Sequence, residues 1–122
     1  MPKQIPVRIA GAQIPCTPIV KDNVEHIKKA IDYAVENKCD YLVTPEGALS
    51  GYDHGGLAAT SFGIDPFDNL SELEDGLKAV ETYAKKKVGL CLGTLWKEKE
   101  RFVLECLHCS RHHCNNCIHS RC

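Results

Sequence analysis

The sequence is short of several things that would have sorted it quickly. It has almost no net charge: 15 basic residues stand against 16 acidic ones, a formal charge of -1. So balanced a chain has no strong field with which to draw in nucleic acid or an anionic membrane. It has no apolar run near the roughly 18 residues that a transmembrane helix needs. Its start, "MPKQIPVRIAGAQIP", lacks the long apolar block and small-residue cleavage site of a secretory signal, so a cytoplasmic location is expected. It is also short in length, since 122 residues with 43% hydrophobic content suffice for one small globular domain and leave no room for a second.

Cysteine is not scarce, but its distribution argues against a disulfide framework. Cys16, Cys39 and Cys91 are scattered singly, as core thiols are, whereas Cys106, Cys109, Cys114, Cys117 and Cys122 crowd into the last seventeen residues. His108, His112, His113 and His119 accompany them. The chain therefore reads as two segments, 1–100 and 101–122, joined near residue 100.

The first segment alternates strand and helix. Residues 7–14, "VRIAGAQI", are bounded by Pro6 and Pro15 and read as a strand buried on both faces. In "KDNVEHIKKAIDYAVENK", Val24, Ile27, Ile31, Ala34 and Val35 recur at helical spacing, with Asp22 or Asn23 available as a cap. "YLVTP", residues 41–45, is a short strand closed by a proline. "SELEDGLKAVETYAKKK" opens with a capping box, Ser71 to Glu74, and places Leu73, Leu77, Val80 and Ala84 on one stripe. Lys85, Lys86 and Lys87 read as its basic last turn, where cations complement the helix dipole. "VGLCLGTLW", residues 88–96, is apolar apart from its glycines and Thr94, and predicts a strand covered on both sides.

This βαβ alternation produces a mainly parallel sheet, and in such sheets sites gather beyond the carboxyl ends of the strands. Glu46 lies one residue past Pro45 at such an end, followed at once by Gly47 and then by Gly51. Spacing alone leaves Glu46 either a turn residue or a carboxylate aimed at a site.

The runs "RIAGAQIP", "DNVEHI", "YLVTPEGALSGYD" and "GLCLGTLWKE" closely resemble, in order and spacing, the N-terminal part of the nitrilase, or carbon-nitrogen hydrolase, superfamily. The resemblance covers residues 5 to about 99, and its most specific element is the apolar strand that ends in Pro45-Glu46 before a small-residue turn. It implies an α/β fold, a partial αββα four-layer sandwich truncated after about three strands and two helices. It also implies hydrolysis of an amide, nitrile or carbamoyl group of a small molecule by a Glu-Lys-Cys triad, with Glu46 as general base and no cofactor. A homo-oligomer stays open. The family's lysine and cysteine lie further along than this resemblance extends. Lys97 and Lys99 read as solvated residues at a hairpin tip, and Cys16, Cys39 and Cys91 are set aside as nucleophiles. Inactivity of this chain by itself is therefore expected.

The second segment, residues 101–122, has no Gly, Ala, Pro, Asp, Lys or Thr, yet five of its 22 residues are Cys and four are His. Such a composition predicts an irregular tail. Two CxxC knuckles, Cys106 with Cys109 and Cys114 with Cys117, could supply four thiolates to zinc and make the chain a non-catalytic binding module. Against this, only four residues separate the knuckles, where ribbon-type sites leave roughly 15 to 20. A frameshift or misplaced gene boundary near residue 100 accounts together for the change of composition, the end of the resemblance and the unmet triad.

Overall fold

The computed structural model describes the backbone of residues 4–51, 70–98, 101–110 and 113–121, and the side chains of residues 4–51 and 71–94. The elements run β1 (Ile9–Gly11), α1 (Val20–Glu36), β2 (Tyr41–Val43), α2 (Leu70–Ala84), β3 (Gly89–Glu98), β4 (Arg101–Ser110) and β5 (His113–Arg121). They build one five-stranded sheet in the order β1-β2-β3-β4-β5. The first three strands are parallel, with Ile9 opposite Tyr41 and Tyr41 opposite Gly89. β4 and β5 add antiparallel. The loop "HGGLAATSFGIDPFDNL" between β2 and α2 lies outside the described residues except for its last residue, Leu70.

α1 forms because its apolar residues recur every three or four positions, and that stripe is what it buries: Val20, Val24, Ile27, Ile31 and Ala34. α2 presents Leu73, Val80 and Ala84 in the same way. Both stripes meet Leu42, Leu90 and Leu92 of the sheet in one core. The helices therefore cover one face of the parallel strands. On the other face Ile9 and Val43 are exposed and Cys91 is half-buried. β1 is thus an edge strand of three residues rather than a doubly buried one, and β3 is not covered on both sides by the described residues.

Several local readings change. Val35 is exposed, so the buried stripe of α1 ends at Ala34. The N-cap of α1 is Ile19, without a side-chain capping bond, and Asn23 is fully buried instead of capping. α2 begins at Leu70, which puts Ser71 inside the first turn rather than at the cap. α2 ends at Ala84, so Lys85 to Lys87 form the turn that leaves it, with Lys86 in the left-handed region at φ 62°. Most of all, the segment after Arg101 is not irregular along its backbone. β4 pairs with β3 from Glu98↔Arg101 to Leu90↔Cys109, because a strand edge left open on β3 offers its peptide groups to the next extended segment. Among the described residues no helix is long and apolar enough to cross a membrane.

Candidate active site

The carboxyl ends of the parallel strands are closed by two loops. β1 continues one residue beyond Gly11, where Ala12 N–H donates to Val43 O at 2.8 Å, and its loop then runs to Ile19. β2 continues through Thr44, whose N–H donates to Cys91 O at 3.0 Å, and Pro45 then delivers Glu46 to a turn over residues 46–50. Thr44 Oγ1 accepts from Gly93 N–H at 3.0 Å, which satisfies that β3 donor where β2 leaves the ladder. Glu46 thus stands past the carboxyl end of the second strand, where the sequence put it, and its side chain is exposed.

The turn is held from below and from the side. Gly93 lies directly beneath it, and a Cβ there would overlap the carbonyl oxygen of Pro45 and stand 2.7 Å from Glu46 Cα. Leu49 N–H donates to Gly93 O at 3.4 Å, and Gly51 N–H closes the turn on Gly47 O at 2.8 Å. Gly51 sits at φ 72°, where L side chains are strained, and a Cβ there would overlap Thr17 O.

The side anchor is Asn23. Its Nδ2 donates to Thr17 O at 2.7 Å and to Leu49 O at 2.8 Å. Its Oδ1 accepts from Thr17 N–H at 2.8 Å and from Thr17 Oγ1 at 3.0 Å. α1, the β1–α1 loop and the Glu46 turn therefore meet on one buried amide. Sequence reasoning named Asn23 only as a helix cap and missed its part in this clamp, along with Thr17 and Gly93. The only available signal was a glycine inside an apolar strand, which marks close approach of another backbone.

The three cysteines set aside as nucleophiles sit as follows. Cys16, half-buried in the β1–α1 loop, has its thiol pushed up from the ordinary thiol range by burial, which keeps it protonated at neutral pH. Cys39 is buried behind the end of α1, and Cys91 is half-buried on β3 rather than fully enclosed. Lys97 lies within β3 opposite Phe102 rather than at a hairpin tip, and Lys99 is outside the described residues. Among the described residues no group of three or more His, Cys, Asp or Glu side chains could hold a metal ion. The zinc ligands considered above, Cys106, Cys109, Cys114 and Cys117, have their backbone in β4 and β5, and their side chains are outside the described set.

No protein-family model and no curated protein matches the chain in sequence. Solved structures do match its fold. An amidase from Nesterenkonia sp. superimposes with a TM-score of 0.71 at 18% identity, over 92% of this chain and 40% of that one. A double mutant of the amidase from Nesterenkonia sp. AN1 in complex with acrylamide gives a TM-score of 0.72 at 17% identity, over 95% of this chain and 44% of that one. A glutamine-dependent NAD(+) synthetase from Cytophaga hutchinsonii gives 0.69 at 22% identity, over 86% of this chain and 17% of that one. The chain thus spans less than half the length of each of these proteins. Its fold is that found in part of these amidases.

Proposed function

We propose that Glu46 is the general base of a carbon-nitrogen hydrolase site, acting on an amide or a related group of a small molecule. The observation that carries this reading is the placement of Glu46: an exposed carboxylate past the end of a parallel strand, on a turn fixed to the strand beside it through Gly93. A merely solvating turn carboxylate has no need of a strand glycine beneath its backbone.

The chemistry suits a carboxylate. A cysteine thiol of pKa about 8.5 is mostly protonated at neutral pH, and a carboxylate that takes its proton frees the thiolate. The sulfur attacks the amide carbon, a lysine ammonium stabilises the oxyanion, and the C–N bond breaks as the amine leaves with a proton, giving a thioester. The same carboxylate then takes a proton from water, the hydroxide opens the thioester, and the acid is released with the thiol restored. Among the described side chains no lysine pairs with Glu46, so residues 4–51 and 71–94 supply the base alone. Residues 1–100 are accordingly proposed as the base-bearing part of a hydrolase domain.

The test is amide hydrolysis by the protein expressed from its natural gene. Glu46→Gln is expected to lower kcat by about 10²–10⁴-fold, the range of a general base, with the chain still folded by circular dichroism. A variant retaining more than a tenth of the activity removes Glu46 from the mechanism. The 122-residue chain assayed alone is expected to show no turnover, because a base without nucleophile and cation forms no covalent intermediate.

A further inference from the structure

Glu46 presents a physical difficulty. Its side chain is exposed, and among the described residues no hydrogen-bond or ion-pair partner holds its carboxylate. A general base must nevertheless be aimed to within a fraction of an ångström, and with no partner on the carboxylate the aim has to come from the main chain. That main chain leaves the sheet at Pro45 and would be a swinging turn if only Gly93 held it.

We infer that Asn23 is the positioning residue of the Glu46 turn. It touches neither substrate nor reacting atoms. Its effect passes through Leu49, three residues beyond Glu46 and at the far end of the same turn. An amide has two donors and two acceptor sites, and Asn23 uses all of them, at 2.7, 2.8, 2.8 and 3.0 Å, while fully buried. Thr17 completes the clamp: its Oγ1 accepts from Ile19 N–H at 3.1 Å, and its carbonyl closes over Gly51. The turn is therefore held at Glu46 by β3, at Leu49 by Asn23 of α1 and at Gly51 by Thr17 of the β1–α1 loop. No other common side chain does this. Aspartate would set a carboxylate oxygen against the carbonyls of Thr17 and Leu49, and leucine would leave buried peptide groups unpaired. A helix residue six positions from Thr17 and 26 from Leu49 thus sets the direction of a carboxylate it never meets.

The inference rests on the proposed role of Glu46 only for its catalytic consequence, so the experiment separates the two. Amide hydrogen exchange is measured by NMR on the 122-residue chain and on Asn23→Asp and Asn23→Ser. The expected result is exchange about tenfold or more faster at Leu49 and Gly51 N–H, with Ile31 and Val80 N–H within about threefold, as selective local opening requires. The Glu46 carboxyl carbon signal should broaden or shift in both variants. Uniform loss of protection across α1, α2 and the turn would make Asn23 an ordinary stability residue and overturn the inference, as would unchanged Leu49 and Gly51. Should neither variant fold, the unmutated chain still decides. Slow exchange of the Asn23 Nδ2 protons supports the clamp, and exchange at the rate of a free amide overturns it.

In the protein that hydrolyses amides, Asn23→Ser should lower kcat with KM unchanged, and should add nothing to Glu46→Gln in the double variant. An additive double variant overturns the inference. If Glu46→Gln itself leaves activity intact, the hydrolase reading fails while the exchange result stands.

Discussion

At the scale of single residues, two backbone positions decide most. Gly93 is one. The atoms that a Cβ would strike belong to the backbone of Pro45 and Glu46, which cannot rotate away, so Gly93→Ala is expected to cost about 2 kcal/mol or more in urea unfolding. A cost within experimental error would mean that the Glu46 turn stands off the strand. Lys38 is the other, and its effect has the opposite sign. It follows the C-cap of α1 at φ 55°, with Lys38 N–H donating to Val35 O and Cys39 N–H to Ala34 O, the paired bonds that usually close on glycine. Lys38→Gly should therefore stabilise the chain by about 0.5–1 kcal/mol, since relief of the left-handed strain exceeds the entropy lost by glycine. An unfolding midpoint that falls would show the strain to be absent. These residues also mark what the sequence could tell. The place of Glu46 was legible because a strand, a proline and a glycine-rich turn are local signals. Asn23 was not, because a polar residue at the start of a helix looks the same whether it caps the helix or reaches a turn 26 residues away.

At the scale of elements, α1 and α2 were readable from their apolar period, which is a property of the sequence alone, and only their ends shifted. Strands were harder: β1 is three residues where eight were expected, since pairing and not composition sets how long a strand stays in the ladder. β4 and β5 were illegible for a related reason. Their partner is the open edge of β3, and nothing within "RFVLECLHCS" announces it. The contact between the two helices carries a pH signature. Tyr83 Oη donates to Asp32 Oδ1 at 2.6 Å, with Lys87 Nζ 3.8 Å from the ring centre. The hydrogen bond to Asp32, then burial and the negative charges of Asp32 and Glu25, hold the phenol above its ordinary value of 10.0. A raised pKa favours the protonated, folded form, so the contribution is complete below pH 10 and is lost as pH rises through the folded-state value. Tyr83→Phe should consequently lower the thermal midpoint by a small, constant amount from pH 6 to 9. The gap to the unmutated chain should close above about pH 10, the value of a free phenol. A gap that stays constant across pH 10 would show that the Asp32 bond does not form in solution.

At the scale of the whole molecule, the helices protect only one side of the parallel strands. On the other side the register lines up Ile9 with Tyr41, and Gly11 with Val43 and Cys91, so these residues share a face. Ile9 is 63% and Val43 41% exposed there, and Ile5 and Val7 extend the exposed apolar surface ahead of β1. Burial of one such side chain is worth about 1.5–3 kcal/mol, so a bare face of this kind is unfavourable in water and seeks cover. The 122-residue chain by itself is therefore expected to associate at micromolar concentration, its mean mass in sedimentation equilibrium rising with protein concentration and its surface binding an apolar dye. Ile9→Lys combined with Val43→Lys places charge on that face and should return the mass to that of one chain, 13.5 kDa, with unchanged helix content. Glu46→Gln, on the exposed turn, should leave the association as it was. A single-chain mass across the whole concentration range without dye binding would sink the prediction. It would require that some part of this chain, rather than another molecule, covers Ile9 and Val43.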